Sequence, residues 1–217
     1  SWRRGQPNSL SFPRIQGADI AGYIVAVGSL VSEDRIGERV MVDFSLYNTE
    51  TDSMAFIDYI GHGRNGGYAD YCSVPAENAH AVGTELTDPE LATFCCAYVT
   101  AEHMLDRARV GEGETVLVTG ASGGVGSGLI QLCRARGAVP VAVSSEGYEA
   151  ALKEIGAEAV LLRGGKSLAM QLDAEVPGRP VDVVADLVGG KLFNELINLL
   201  KPEGRYISAG AIAGPVV

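Results

Sequence analysis

An apolar strand, a glycine-rich turn and a helix follow one another without interruption in residues 113–134, and this succession most constrains what the chain can fold into. Residues 115–119 read TVLVT, which is typical of a buried strand. Residues 121–126 follow as ASGGVG, an A-x-G-G-x-G turn, and an amphipathic segment then continues to Arg136. The pattern therefore predicts a strand, a tight turn and a helix of the kind that holds a dinucleotide.

The glycine turn has the composition that a pyrophosphate requires. A Cβ at Gly123 would hold the phosphates away from the backbone amides, and a Cβ at Gly126 would keep the helix from lying close to its strand. The N-terminus of the helix adds unpaired N–H groups and about half a positive charge. We expect Ser122, Gly124 and Val125 to join these two glycines in binding the dinucleotide. A purely structural turn is the alternative, but the apolar strand predicted after the helix supports binding.

Composition and charge argue against several other classes of protein. The chain has 217 residues, 47% of them hydrophobic, which is enough for the core of one or two domains. Its net charge of -10 and its lack of Lys/Arg clusters with interleaved aromatic residues argue against nucleic acid and anionic membranes as partners. No apolar run approaches the ~20 residues of a membrane span, and the first residues do not resemble a signal peptide. We expect a cytoplasmic protein whose partner is a small molecule.

The sequence pattern changes near residue 88. Residues 1–88 contain short runs rich in β-branched residues, at 21–27, 39–42 and 68–74, which predict an antiparallel β domain. Residues 89–217 alternate helices with apolar strands, which predicts an α/β domain with a parallel sheet covered on both faces. Helices are predicted at 89–107, 124–136, 147–155, 166–175 and 190–200, and strands at 116–119, 140–143, 159–162, 181–185 and 204–208.

The end of the second predicted strand of the α/β domain bears on the choice of cofactor. Folds that prefer NAD place a carboxylate there, about 20 residues beyond the glycines, to bind the ribose 2′-hydroxyl. Ser144 and Ser145 stand there instead and leave room and hydroxyl donors for a 2′-phosphate, which favours NADP (NADPH). NAD stays possible because Glu146 is close enough to repel a phosphate. Tyr148 is either a contact to the adenine or the phosphate, or an ordinary residue at a helix start.

Motifs over nearly the whole chain resemble those of the medium-chain dehydrogenase/reductase superfamily. Gly113-Glu114, Gln131 and Arg134, around the glycine turn, resemble the signature of its zinc-free quinone oxidoreductase (zeta-crystallin-like) branch. The other matching segments are residues 16–22, 25–28, 37–40, 66–71 and 100–101. The resemblance implies a doubly wound Rossmann sheet and a GroES-like β domain, with the nicotinamide in the cleft between them. Complete members are longer at both ends, so we expect the chain to be truncated in its GroES-like domain and after the fifth Rossmann strand.

The resemblance also implies further contacts to the cofactor. Thr100 matches a threonine that touches the nicotinamide in relatives, with an ordinary polar helix residue as the alternative. Val188 and Gly189 follow the fourth strand, and Ala209, Gly210 and Ala211 follow the fifth, where open α/β sheets bind ligands. We expect the backbone amides of residues 209–211 to bind the nicotinamide carboxamide. Asp186, at the end of the fourth strand, is also a candidate helix cap.

The sequence predicts no metal site. Zinc-dependent relatives place a His-Glu pair where Ala18-Asp19 stand, and Cys96 alone matches a ligand, whereas catalytic zinc needs three protein ligands. Cys95-Cys96 are expected to pack in the core, and the four cysteines lack the spacing of a zinc ribbon or a disulfide framework. The histidines at 62, 80 and 103 have no partner at helical spacing, although His62 is placed where it can reach a cleft.

The residues and the resemblance together predict a zinc-independent, NADPH-dependent oxidoreductase that transfers hydride to a quinone or an α,β-unsaturated carbonyl. The alternatives are a zinc-dependent alcohol dehydrogenase-like enzyme and a non-catalytic NADPH-binding or structural protein. No catalytic acid or base is evident, and Tyr47 and Tyr68 are conceivable cleft residues that are more simply read as packing residues. A homodimer formed through the edge of the Rossmann sheet is expected from the relatives.

Overall fold

The structure, a computed structural model, describes residues 12–46 and 58–214. The chain packs as two compact units that divide between Cys96 and Ala97. The domain boundary predicted near residue 88 lies inside the first of these units and stays a prediction. No helix in the described ranges is both long and apolar enough to cross a membrane.

The first unit consists mainly of short antiparallel strands. Strands β1 (Ala21–Tyr23), β2 (Arg39–Val42) and β5 (Ala79–Ala81) form one sheet with β2 in the middle, and β3 (Ser45–Leu46) pairs with β4 (Asp58–Tyr59). Helix α1 (Asp88–Leu91) and the first turn of α2 (Phe94–Arg107) also belong to this unit. The predicted antiparallel arrangement is therefore confirmed. Its small core contains Val42, Leu46 and Ile60.

Two strand predictions in the first unit are wrong. Residues 68–74 form no strand, because the chain at Gly66, Gly67 and Tyr68 donates its N–H groups to the irregular segment 15–17 and the Tyr68 side chain is 79% exposed. The run 21–27 is a strand only as far as Tyr23, because Val25 is 62% exposed and has no buried face to occupy. Strand β5 is not predicted from the sequence pattern, because the exposed His80 interrupts its apolar run.

The second unit is the predicted doubly wound α/β fold. Its strands are β6 (Thr115–Thr119), β7 (Val139–Ser144), β8 (Ala159–Leu162), β9 (Val181–Asp186) and β10 (Leu200–Ser208), and the connecting helices are α3 (Gly124–Ala135), α4 (Glu149–Glu154), α5 (Leu168–Glu175) and α6 (Phe193–Leu199). The five strands are parallel and lie in the order β10-β9-β6-β7-β8. The strands and the connecting helices predicted for this sheet are present, most with shifts of one or two residues at their ends. The last pair differs more, since α6 begins at Phe193 rather than at residue 190 and β10 begins at Leu200 rather than at residue 204.

The helix predicted at 89–107 is two helices in the structure. The Thr93 hydroxyl donates to the carbonyl of Glu90 at 2.7 Å, and the Thr93 N–H donates to the same oxygen at 3.0 Å. A threonine that bonds locally to the backbone competes with the helical ladder, so α1 ends there and α2 begins at Phe94.

Helices cover both faces of the parallel sheet. Val116 and Val118 of β6 pack on one face with a cluster that includes Leu105 of α2 and Leu129 of α3. Leu117, which lies between them in sequence, packs on the opposite face with a cluster drawn partly from α5 and α6. The alternation follows from the two-residue period of a strand, and each buried Leu or Val contributes about 1.5–3 kcal/mol of transfer free energy.

Candidate functional site

The strand order places a ligand-binding position at the carboxyl ends of β6 and β9. Strand β6 comes first in the sequence of this sheet and lies at its centre, with β7 on one side and β9 on the other. The connections therefore leave β6 and β9 in opposite directions and open a crevice beyond their last residues. Thr119 ends β6 and Asp186 ends β9, so these two residues border that position.

The glycine turn after β6 is sterically fixed at Gly126. A Cβ added there would lie 2.4 Å from the carbonyl oxygen of Gly120 and 2.6 Å from the Cα of Ala121. A Cβ at Gly123 would lie 3.4 Å from the same carbonyl, which the fold tolerates. Gly126 thus lets the helix lie close to its strand, as predicted, whereas the fold itself leaves space at Gly123.

The N-terminus of α3 is open toward solvent. Its N-cap is Gly123, which has no side chain to cap the helix, and the first helical hydrogen bond runs from the Ser127 N–H to the Gly123 carbonyl at 2.8 Å. The N–H groups of Gly124, Val125 and Gly126 precede that bond and have no intrahelical acceptor. Ser122, Gly123 and Gly124 are exposed. These residues fit an anionic pyrophosphate, because oriented N–H groups and the helix dipole both favour negative charge.

The residues predicted to distinguish NADP from NAD lie together at the end of β7. Ser144 is buried, and its hydroxyl donates to the Ser145 carbonyl at 3.0 Å, so this hydroxyl is already engaged. Ser145 is half-buried, and Tyr148, at the start of α4, is 47% exposed. Arg163 follows β8 directly, is exposed, and donates its main-chain N–H to the Ser144 carbonyl at 2.8 Å. The sequence signal for Arg163 is a basic residue immediately after the strand that neighbours β7.

Asp186 is a buried carboxylate that joins three strand ends. It has no solvent exposure and accepts hydrogen bonds from the hydroxyl of Thr119 on β6 and the hydroxyl of Tyr206 on β10. It also accepts from the N–H of Val188 at 2.9 Å and from the N–H of Gly189 at 3.2 and 3.1 Å. The helix-cap role considered for Asp186 is wrong, since neither the short helix Gly190–Leu192 nor α6 receives a side-chain cap; the carboxylate instead holds the turn after its own strand and binds both neighbouring strands.

The protonation states in this cluster follow from its hydrogen bonds. Burial alone would raise the pKa of Asp186, but the hydrogen bonds from Thr119, Tyr206 and the N–H groups of Val188 and Gly189 outweigh it and lower the pKa below its ordinary value. Burial raises the pKa of Tyr206, and the neighbouring carboxylate raises it further. At neutral pH the carboxylate is therefore ionised, and the tyrosine hydroxyl keeps the proton that it donates.

The turns after β9 and β10 pack directly on each other. The Ala209 N–H donates to the Asp186 carbonyl at 3.2 Å, and the Ala213 N–H donates to the Val188 carbonyl at 2.9 Å. A Cβ at Gly210 would lie 2.2 Å from the Leu187 carbonyl oxygen, so only glycine allows this approach. The structure therefore brings together all five residues that were predicted for these turns, Val188, Gly189, Ala209, Gly210 and Ala211.

Thr100 lies on α2, on the side that approaches the glycine turn. Ala97, three residues earlier on the same helix, is the nearest contact that a Cβ on Gly124 would meet, at 3.5 Å. Residues three apart share a helix face, so the half-buried Thr100 continues the face that borders α3. Its role toward a nicotinamide stays a prediction.

The residues that match metal-ligand positions in zinc-dependent relatives make a different interaction. The Asp19 carboxylate accepts a hydrogen bond from the Cys96 N–H at 2.6 Å, so it caps the first turn of α2. Burial, followed by the charge of Asp19, raises the pKa of Cys96, and the same causes together with Asp43 raise the pKa of Cys95 to about 12. Ala18 offers no ligand atom, and the Asp19 carboxylate is engaged as a helix cap, so Cys96 is the one zinc-type ligand among these matched positions. Catalytic zinc needs three protein ligands, and these matched residues do not supply them.

The remaining candidate side chains form no cluster with these thiols. His62 lies half-buried in the turn after β4, and His80 and His103 are exposed. Within residues 12–46 and 58–214, no group of three or more His, Cys, Asp and Glu side chains is arranged to hold a metal ion. Tyr68 is exposed, and Tyr47 lies outside the described residues.

Two family models match the chain in succession. The model described as the alcohol dehydrogenase GroES-like domain matches residues 1–84, and the model described as zinc-binding dehydrogenase matches residues 124–217. The chain belongs to the medium-chain dehydrogenase/reductase superfamily. Its sheet with the glycine turn is therefore the Rossmann fold of that superfamily, of the kind that binds a nicotinamide cofactor.

Solved and curated members of the superfamily are similar to the chain over nearly all of its length. A crystal structure from Sinorhizobium meliloti 1021, provisionally named an alcohol dehydrogenase, is 68% identical with a TM-score of 0.94, and covers 100% of this chain and 60% of its own. A quinone oxidoreductase from Pseudomonas syringae pv. Tomato DC3000 is 26% identical with a TM-score of 0.76, covering 95% of this chain and 58% of its own. Acryloyl-coenzyme A reductase from Metallosphaera sedula is 28% identical, covering 94% of this chain and 62% of its own. The chain thus spans about 60% of the length of these relatives.

Proposed function

We propose that the protein is a zinc-independent, NADPH-dependent oxidoreductase that transfers hydride to a quinone or an α,β-unsaturated carbonyl. The observation that carries this proposal is the uncapped N-terminus of α3 beside the β6–β9 switch point, in a chain whose matched metal-ligand positions hold Ala18 and a capping Asp19 beside Cys96. The similarity to a quinone oxidoreductase and to an acryloyl-coenzyme A reductase supports the acceptor class.

In this proposal the chain binds and orients a cofactor that supplies the hydride. The amides of Gly124, Val125 and Gly126 bind the pyrophosphate, and the turns that follow β9 and β10 line the nicotinamide. In this proposal the product takes its proton from solvent.

The preference for NADPH over NADH rests on the end of β7. Ser145 stands where NAD-preferring folds have a carboxylate, and exposed Tyr148 and Arg163 flank the same strand end. A cation and hydroxyl donors suit a phosphate, whereas Glu146 opposes one. We infer that NADPH binds more tightly than NADH, and that Arg163→Ala narrows the difference between the two dissociation constants.

A zinc-dependent alcohol dehydrogenase-like enzyme is the second candidate, because the model that matches residues 124–217 is described as zinc-binding dehydrogenase. Elemental analysis of the purified chain separates the two candidates. Our proposal expects zinc well below one atom per chain, and an equimolar amount that resists dialysis against a chelator would overturn the zinc-free assignment.

Cofactor binding is tested first on the chain itself by following NADPH fluorescence during titration. We expect saturable binding with enhanced emission, and oxidation of bound NADPH with 1,4-benzoquinone or cyclohexenone as the acceptor. Saturable binding without turnover across a wide panel of acceptors would instead favour the non-catalytic alternative. If neither NADPH nor NADH binds, the proposal is overturned.

We further propose that the protein forms a homodimer through an edge of the Rossmann sheet. Strands β8 and β10 lie at the two ends of the described five-stranded sheet, and an edge strand presents backbone groups that another chain can pair with. Light scattering tests this, and a monomer at micromolar concentration would contradict it.

A further inference from the structure

The two carboxylates of β9, Asp182 and Asp186, lie at opposite ends of the strand. Asp182, near its first residue, accepts from the Thr115 N–H at 2.8 Å and pairs with Lys201, so it joins β6, β9 and β10 at the amino end of the sheet. Asp186 joins the same three strands at the carboxyl end through Thr119 and Tyr206. Four residues along a strand span about 13 Å, so only one of the two carboxylates adjoins the ligand crevice.

Asp186 differs from Asp182 because it also holds a turn. The Val188 and Gly189 N–H groups both point at its carboxylate, and the Thr119 hydroxyl that donates to Asp186 also accepts from the Leu187 N–H at 3.0 Å. All three consecutive amides of residues 187–189 are thus bound by Asp186 or by its partner Thr119. In the turn after β10, the Ala209 N–H donates to the Asp186 carbonyl and the Ala213 N–H donates to the Val188 carbonyl.

The proposed function assigns three segments of the chain to cofactor binding. The contacts described above connect all three to the Asp186 carboxylate. Thr119 immediately precedes the glycine turn, residues 187–189 follow β9, and residues 209–211 follow β10. We propose that Asp186 is a positioning residue that orders these three strand exits for dinucleotide binding before the cofactor arrives. This inference rests on the proposed function, because it concerns the same site.

The physical reason is that a carboxylate alone among side chains of this size offers only acceptors. Asn in its place keeps the shape but turns one acceptor oxygen into an NH₂ group, and in either orientation of the amide this group faces the Gly189 N–H, which can only donate. A buried donor that faces a donor loses its hydrogen bond and pushes the turn out of position. When the strand exits are ordered before the cofactor arrives, binding has a smaller entropic cost. Loss of this order therefore weakens the affinity for the cofactor without removing any contact to it.

The test compares Asp186→Asn with the matched control Asp182→Asn in the full chain. Amide hydrogen exchange in the free protein is measured on peptides that contain residues 120–126, 187–190 and 209–213. We expect Asp186→Asn to speed exchange at least tenfold in these peptides while the control leaves them unchanged. NADPH titration by fluorescence is then expected to give a dissociation constant at least tenfold weaker for Asp186→Asn, and within twofold of the unchanged chain for Asp182→Asn.

Tyr206→Phe provides a milder variant in case Asp186→Asn does not fold. It removes one donor and leaves the carboxylate with the turn, so we expect a two- to fourfold weaker dissociation constant and faster exchange confined to the same peptides. Equal affinities and exchange rates for the Asp186 or Tyr206 variants and the Asp182 control would overturn the positioning role while leaving the proposed function intact. Failure of the unchanged chain to bind NADPH or NADH would overturn the proposed function, and the positioning role with it.

Discussion

At the scale of single residues, two glycines of α3 meet very different surroundings although they are two positions apart. A Cβ at Gly126 would lie 2.4 Å from a backbone oxygen, whereas a Cβ at Gly128 would lie 3.5 Å from the Ala101 side chain, an ordinary contact. The first glycine is required by the fold, and the second is not.

Gly126→Ala is therefore expected to lower the free energy of unfolding by about 1–3 kcal/mol, because backbone must move to admit the methyl group. Gly128→Ala is expected to leave it unchanged or to raise it by up to about 1 kcal/mol, because alanine favours a helix interior. Urea denaturation of the two variants measures both effects. If both variants lose the same free energy of unfolding, close backbone packing at Gly126 is not what excludes a side chain from that position.

The cysteines give a second prediction at this scale. Burial raises the pKa of Cys95 and of Cys133 to about 12, so both thiols stay protonated and react poorly at neutral pH. Iodoacetamide at pH 7.5 is expected to modify them at least tenfold more slowly than in the same protein unfolded in urea, as followed by mass spectrometry of their peptides. Fast labelling of Cys95 in the folded chain would contradict its assignment as a core residue.

At the scale of elements, the strands at the centre of the parallel sheet are joined by ionised carboxylates at both ends. Burial would raise the pKa of Asp182, but Lys201 and the Thr115 N–H lower it below its ordinary value, as the hydrogen bonds to Asp186 do for that residue. Each carboxylate thus binds protons less readily in the folded chain than in the unfolded one.

Stability should therefore be lost in acid. A lowered folded pKa contributes stability that is present above the unfolded value, about 3.9 for Asp, and is lost as pH falls through the folded value. Urea denaturation at pH 7, 5, 4 and 3 is expected to show the free energy of unfolding falling mainly below pH 4. Asp182→Asn should flatten this dependence, and an unchanged pH profile in that variant would count against the assignment.

Strands β6 to β9 are predictable from sequence because each is a mainly apolar run bounded by turn residues, whereas the first half of β10 is polar and exposed and is not predictable in this way. The break between α1 and α2 is not predictable either, since it depends on how the Thr93 hydroxyl bonds locally. The glycine turn is also predictable, because its signal lies in consecutive residues between a strand and a helix. The role of Asp186 is not, because its donors Thr119 and Tyr206 lie 67 and 20 residues away and two further donors are main-chain groups without a residue signature.

At the scale of the whole molecule, binding of a cofactor to the folded α/β unit must stabilise that unit. NADPH at a hundred times its dissociation constant is expected to raise the free energy of unfolding by about 2.7 kcal/mol. Chemical denaturation with and without NADPH measures this gain. The Gly126→Ala variant at the same cofactor concentration serves as the control and should gain less; an equal gain would place the cofactor away from the glycine turn.

The Val188 and Gly189 N–H groups donate hydrogen bonds to the Asp186 carboxylate, so this contact holds the turn through its main chain. Every non-proline residue possesses such an amide, so the contact itself tolerates replacement of the Val188 side chain, whereas the Leu187 side chain packs against the core of the sheet. A directed-evolution library that randomises position 188 alone, with Asp186, Leu187 and Gly189 held constant, can therefore vary the surface of the crevice while the turn keeps its backbone geometry.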